Sequence, residues 1–257
     1  GSIAGIKHTY PDKRLGVIWV DAHADLHSPY TSPTGNVHGM PLAVCLNEDN
    51  LDKQKNQVSD HSKDKWNVLK NVGGVCPKIL SEDLVFIGVR DTEDEEDYLI
   101  DKHNIKDIKV DELKTKGASV IAQEALDYLD DCDIIYVTFD VDSMDPALVS
   151  HGTGTPVPNG FSEAEVTELL VELNKSPKIC CFEVTEINPT LDEKVNTMAD
   201  TAFRVLDNVC KTIAVDDRAK IRPIVRAIVQ GCSKKSAIPI TIAMVPPTCK
   251  PPKPISL

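Results

Sequence analysis

Four short apolar runs limit the folds open to this chain more than any other feature. Residues 15–20 (LGVIWV), 84–89 (LVFIGV), 134–139 (IIYVTF) and 179–184 (ICCFEV) are rich in β-branched side chains and do not alternate with polar positions. A strand with one wet face alternates, whereas a strand covered on both faces has no polar side to show. The runs therefore read as strands at the centre of a layered fold. Helical spacing fills the intervals. Residues 118–129 and 195–209 repeat apolar side chains every three or four positions, and 162–173 opens on Ser162 with Glu165 three residues on, a capping-box pattern. Strands that alternate with helices predict a mostly parallel sheet in a three-layer α/β/α domain, joined by right-handed crossovers. A chain of 257 residues can bury one large core of this kind.

Composition serves mainly to exclude. A formal charge of -12 argues against nucleic acid or an anionic membrane as partner. No run of about 20 apolar residues is present, so nothing in the sequence predicts a membrane-spanning helix. Eight cysteines show no C-x-x-C pair and no regular spacing, and adjacent Cys180 and Cys181 lie in an apolar run, which fits a reduced compartment and a cytoplasmic protein. A mitochondrial location is the alternative, on the expectation that a targeting peptide precedes Gly1. Residues 47–71 are polar and read as a surface excursion. Residues 91–97 hold six carboxylates in seven positions, most simply a solvated helix start. Residues 216–257 differ from the rest, with eight Lys or Arg against two Asp and a run of prolines near the end. The expectation is a domain at 1–215 followed by an atypical basic, Pro-rich tail at 216–257 that packs poorly.

The chemistry concentrates behind two of the strands. Asp21-Ala22-His23-Ala24-Asp25 follows the run 15–20 directly. In extended chain, residues two apart share a side, so Asp21, His23 and Asp25 can converge at the carboxyl end of a strand, where open α/β sheets build their sites. Asp140-Val141-Asp142 follows the run 134–139 in the same way. Four carboxylates with one imidazole make an oxygen-rich donor set, suited to manganese or magnesium more than to a thiolate-loving metal. Bridging carboxylates hold paired ions ~3.5–4 Å apart, a spacing that yields hydroxide at neutral pH.

Five ordered motifs carry a resemblance. Asp21-Ala22-His23-Ala24-Asp25 and Thr138-Phe139-Asp140-Val141-Asp142-Ser143-Met144-Asp145-Pro146 are similar to the two signature blocks of the arginase–agmatinase (ureohydrolase) family. Thr31-Ser32-Pro33-Thr34-Gly35-Asn36-Val37-His38-Gly39 resembles arginases in particular, and Gly152-Thr153-Gly154-Thr155-Pro156 and Glu183-Val184-Thr185-Glu186-Ile187-Asn188-Pro189 match further blocks. The likeness covers about residues 1–213.

The resemblance implies a hydrolase with two Mn2+ ions that splits the guanidino group of L-arginine into L-ornithine and urea. Asp21 and Asp140 would bridge the ions. Asp25 would ligate the first and hold the attacking hydroxide, and His23 and Asp142 would complete the second. His38 would shuttle a proton to the leaving amine, and Glu186 would face the guanidinium. Thr34, Asn36 and the residue at His27 would hold the α-carboxylate, Asp91 and Glu93 the α-amino group, and Thr155 would line the pocket. His27 and Glu93 stand where the family pattern leads one to expect Asn and Asp. One further family ligand, the His of a Gly-Gly-Asp-His block, would lie just ahead of Gly1, and His8 is too far along the first helix to replace it. The expectations that follow are missing N-terminal strands, one tightly bound ion, ready aggregation and little turnover. Oligomeric assembly as trimers or hexamers is implied by analogy. Alternatives are a ureohydrolase acting on formiminoglutamate or agmatine, or an inactive arginase-like metal-binding protein; a single-zinc deacetylase is disfavoured by the second Asp pair.

Overall fold

Each of the four apolar runs becomes a strand of one sheet. The computed structural model describes residues 1–192, 196–216, 225–226 and 240–244, with only the backbone described for 214–216 and the last two segments. In chain order the elements are α1 (Ser2–Thr9), β1 (Leu15–Val20), α2 (Pro41–Leu46), α3 (Asp60–Lys70), β2 (Leu84–Ile87), α4 (Asp94–His103), β3 (Lys106–Ile108), α5 (Val110–Lys116), α6 (Ala118–Tyr128), β4 (Ile134–Asp140), α7 (Glu163–Leu173), β5 (Ile179–Ile187), α8 (Thr197–Asp216), β6 (Val225–Arg226) and β7 (Ile240–Met244). The sheet order is β3-β2-β1-β4-β5-β7-β6. The first five strands are parallel, and β7 and β6 join antiparallel beyond β5. No helix among the described residues is long and apolar enough to cross a membrane.

The absence of alternation in β1 has the expected cause. Ile18 and Val20 pack on one face with Ile121 of α6, Leu169 of α7 and Val205 of α8. Val17 and Trp19 pack on the other with Ile3 of α1, Leu42 of α2 and Leu99 of α4. Every position of the strand is buried, and each large apolar side chain withdrawn in this way stabilises by ~1.5–3 kcal/mol. The capping box at α7 forms as its spacing predicts: Glu165 N donates to Ser162 Oγ at 3.3 Å, and Ser162 N donates to Glu165 Oε2 at 2.8 Å.

The residues just ahead of four strands are tied to one another by charge. Arg14, before β1, holds buried Asp83, before β2, through Nε at 3.0 Å and Nη2 at 2.8 Å. Asp133, before β4, accepts from Arg14 N at 2.9 Å and pairs with Lys13 at 3.3 Å. Lys178, before β5, reaches Asp130 at 2.8 Å. The opposite ends of the strands carry the site.

Several expectations need correction. The acidic stretch 91–97 does open α4, but Glu95 and Glu96 are both only 3% exposed, so the run is not simply solvated. Glu96 turns inward because its Oε1 accepts from Leu26 N at 3.0 Å. The polar excursion at 47–71 contains α3, whose Trp66 is buried against Met40, Ala43 and Val44. The run 84–89 is strand only to Ile87, because Gly88 turns the chain at φ +96, where a Cβ would lie 2.6 Å from the Phe161 ring. The expectation that 216–257 packs poorly falls mostly outside the described residues; within it, 225–226 and 240–244 are strands.

Candidate metal centre

The carboxyl ends of β1 and β4, neighbours in the sheet, bring the two acidic motifs together. Val20 pairs with Phe139, so Asp21 and Asp140 leave their strands side by side. The ligand atoms of Asp21, His23 and Asp142 all lie within 4.8 Å of one another. His23 Nδ1 is 3.2 Å from Asp142 Oδ2 and 3.4 Å from Asp21 Oδ1, and its Nε2 is 3.7 Å from Asp91 Oδ2. Two tight turns aim these groups inward: His23 N donates to Asp21 Oδ1 at 2.8 Å, and Asp142 N donates to Asp140 Oδ1 at 3.0 Å. The turns are linked by Ala22 N donating to Asp142 Oδ1 at 3.3 Å.

The electrostatics are those of a site with more negative charge than its burial tolerates. Desolvation and the neighbouring Asp142 push the Asp21 carboxyl up to about 7. Asp25 and Asp140 are raised well above the usual carboxylate range, chiefly by desolvation and then by the surrounding carboxylates. Burial works against a charge on His23, but its hydrogen bonds to Asp142 and Asp21 outweigh it and push the imidazole up to about 11. Asp142 is lowered despite its burial because His23 bonds it directly. An oxygen-rich donor set with one nitrogen, buried and mutually repelling, fits a divalent ion of the manganese kind. Asp21, His23, Asp25, Asp140 and Asp142 are the residues that could hold it.

The remaining expected residues surround this group unevenly. Thr155 Oγ1 donates to Asp142 Oδ2 at 3.2 Å. Glu186, the penultimate residue of β5, is partly buried, and a Cβ placed on Gly154 would be 3.8 Å from its Oε2. Desolvation and the Asp142 charge raise its pKa. Asp25 and Glu186 share an unusual backbone, with φ +53 and +63, where the non-glycine company is otherwise all Asn. Asp91 lies beside His23 through a backbone bridge and is exposed. His27 is buried with both ring nitrogens engaged, Nδ1 to Thr31 Oγ1 at 3.1 Å and Nε2 to Glu93 Oε2 at 2.9 Å. Thr34, Asn36 and His38 are exposed, in a loop whose ends meet where His27 N donates to Gly39 O at 3.0 Å. Asn36 and His38 form no side-chain hydrogen bond among the described residues.

Three contributors escaped sequence reasoning. Thr185 Oγ1 donates to Asp140 Oδ2 at 3.1 Å. Its signal was its register position, since Thr185 stands opposite Asp140 in the sheet. Glu96 lies three residues after Glu93 and makes a reciprocal cap with it at the start of α4, a spacing visible in sequence. Arg90 gave no signal at all. Its guanidinium donates only to backbone carbonyls: Gly88 O at 3.1 Å, Asp142 O at 3.0 Å, Val157 O at 2.7 Å and Pro158 O at 2.9 Å.

Comparison with known proteins finds one family in both sequence and structure. A family model described as "Arginase family" matches residues 1–211. An arginase of Bacillus subtilis (strain 168) is 36% identical over 209 residues, which is 81% of this chain and 64% of that protein. Arginase-1 of Homo sapiens is 34% identical over 210 residues, 80% of this chain and 60% of that protein. The crystal structure of Entamoeba histolytica arginase in complex with L-ornithine matches with a TM-score of 0.69 at 27% identity, over 81% of this chain and 64% of that one. The chain thus spans less than two thirds of the length of these relatives.

Proposed function

This chain belongs to the arginase family, and from that premise we propose that it acts as a manganese-dependent hydrolase of the guanidino group, with L-arginine as substrate and L-ornithine and urea as products. The observation that carries the reading is the convergence of Asp21, His23 and Asp142 within 4.8 Å, with the Asp140 turn bonded into the same group. The likeness to an ornithine-bound structure supports an amino acid as the substrate class.

In this reading Asp21, His23, Asp140 and Asp142 would help to hold one ion, and Asp21, Asp25 and Asp140 would contribute ligands to another. When bound, the metal pair lowers the pKa of a water enough to supply hydroxide near neutral pH. Asp25 would accept a hydrogen bond from the attacking water and orient it. Glu186 faces the planar guanidinium, and its raised pKa falls once the cationic substrate is beside it, which favours the ionised form that binds. Thr155 lines the wall between Asp142 and Glu186. Asp91 and Glu93 receive the α-ammonium at the exposed rim, and Thr34 and Asn36 bind the α-carboxylate. His27, with both nitrogens occupied, contributes by holding Glu93. His38, exposed in the same loop, carries the proton to the departing amine.

The direct test is urea release from L-arginine and from agmatine by one manganese-supplemented preparation. Arginine is expected to turn over faster, because agmatine lacks the carboxylate that Thr34 and Asn36 would bind. Faster turnover of agmatine would overturn the substrate assignment while leaving the family intact.

A further inference from the structure

The metal-facing side chains account for themselves, but the turn that presents Asp142 is tied down by something else. Arg90 sits in the loop after β2, half-buried, and its fork reaches three separate segments: the β2 exit at Gly88, the turn at Asp142, and the loop at Val157 and Pro158. Among the described residues it makes no carboxylate ion pair, so its hydrogen-bonding capacity is committed to main chain. The contact is shaped to fit. A Cβ on Gly160 would stand 2.7 Å from Arg90 Nη2 and would also collide with Ser143 O, so the chain passes here only as glycine. The loop held at Val157 and Pro158 is the one that carries Thr155, whose hydroxyl meets Asp142 Oδ2 at 3.2 Å. Besides its bonds within the two turns, Asp142 is thus held at its carbonyl by Arg90 and at its carboxylate by Thr155, and Arg90 also holds the loop that carries Thr155.

We infer that Arg90 is a positioning residue for the metal centre: it clamps the Asp142 turn to the Thr155 loop and so sets how tightly the Asp21–His23–Asp142 group holds a divalent ion. The inference rests on the metal-binding reading above. Charge and clamp act in opposite senses. A guanidinium near the site repels a second cation, whereas a fixed Asp142 attracts it. Lysine retains the charge but lacks the planar fork that spans several carbonyls, so Arg90→Lys isolates the clamp, and Arg90→Gln removes clamp and charge together.

The experiment is Mn2+ titration of the whole 257-residue chain, followed by electron paramagnetic resonance well below the melting temperature, beside thermal melts in chelator. Arg204→Gln serves as the control, because Arg204 makes an equally well-formed fork with Glu163 at 2.7 Å on the helical layer, away from the site. Arg90→Lys is expected to weaken Mn2+ binding about tenfold, the order seen when an outer partner of a metal ligand is lost. Arg90→Gln is expected to weaken it less, and Arg204→Gln to lower the melting temperature with Mn2+ affinity unchanged. Wild-type affinity in Arg90→Lys would reduce Arg90 to a structural residue and overturn the inference. So would tighter binding in Arg90→Gln than in the wild type, since charge would then dominate. A wild-type chain that binds no Mn2+ would overturn the metal-binding reading itself, and this inference with it.

Discussion

The two ends of the same parallel strands treat acid in opposite ways: the amino ends pair it, with Asp83 buried and Asp130 and Asp133 exposed, and the carboxyl ends bury it crowded together. At the amino ends, Asp83 is met by the Arg14 fork and Asp133 by Lys13 and the Arg14 backbone. The Arg14 amide and Lys13 hold the Asp133 carboxyl below its ordinary range, and Lys178 does the same for Asp130. At the carboxyl ends, Asp21, Asp25 and Asp140 are crowded with one another and with Asp142, and desolvation drives all three upward. Compensated acid fastens strand starts together. Uncompensated acid is a standing demand for a cation. Residue type alone does not separate the two; burial and partners do.

That contrast can be broken most forcefully at Asp140. Asp140→Asn should cut Mn2+ affinity by roughly 100-fold or more, beyond what outer partners usually contribute. The same change should leave the melting temperature in chelator unchanged or higher, because it removes a charge the fold resists. A lower melting temperature with intact Mn2+ binding would place Asp140 among the structural acids. The mirror experiment is Asp83→Asn. Losing a charge-assisted fork should lower the melting temperature by roughly 5 °C and leave the Mn2+ titration untouched; a change in Mn2+ affinity would mean that the two ends are coupled.

Proton uptake sharpens the contrast without mutation. A carboxyl raised in the folded state binds its proton more tightly there than in the unfolded chain. Its stabilising contribution is complete below the unfolded value near ~4 and is lost as pH rises through the folded one. Asp21 at about 7 and Glu96, pushed up to about 8 by desolvation and its bond with Glu93, set that window. The metal-free chain should therefore melt lower, by about 3 °C, at pH 8 than at pH 6, and saturating Mn2+ should remove the part of the decline that comes from Asp21, leaving that from Glu96. A rising melting temperature over this interval in chelator would contradict the assignment of excess acid to the site. The smallest effect belongs to Lys178→Ala, which breaks an exposed pair with Asp130 and should move the melting temperature by less than about 2 °C.

Much of this was legible in the sequence, for reasons that differ by element. β1 and β4 were visible because burial on both faces leaves unbroken apolar runs, and the start of α7 because its cap is a local spacing. Asp21, His23 and Asp142 were visible because strand ends and a period of two are simple geometry. β3 was not: Lys106 and Asp107 lie in a three-residue edge strand with one fully buried side chain, too short to show a pattern. The left-handed backbones of Asp25 and Glu186 left no trace, since aspartate and glutamate do not announce φ as glycine does. Arg90 was opaque for a related reason. Its partners are main-chain carbonyls, which every residue possesses, so nothing in their identity points back to it.

The strand order also bears on how the molecule comes into being. β1 is the earliest described strand, yet its neighbours are β2 and β4, which begin at Leu84 and Ile134. During synthesis at about 5–20 residues per second, the LGVIWV segment therefore waits several seconds for its first hydrogen-bonding partner and longer for its second. Until then it is an unpaired, uncharged, β-prone stretch, the kind of segment that self-associates. Only Lys13 and Arg14 before it and Asp21 after it interrupt that character. The charges that later knit the strand starts and crowd the candidate metal centre thus have an earlier task as gatekeepers of the nascent chain, and replacing them with apolar residues would be felt first in soluble yield, before any folded molecule exists to be measured.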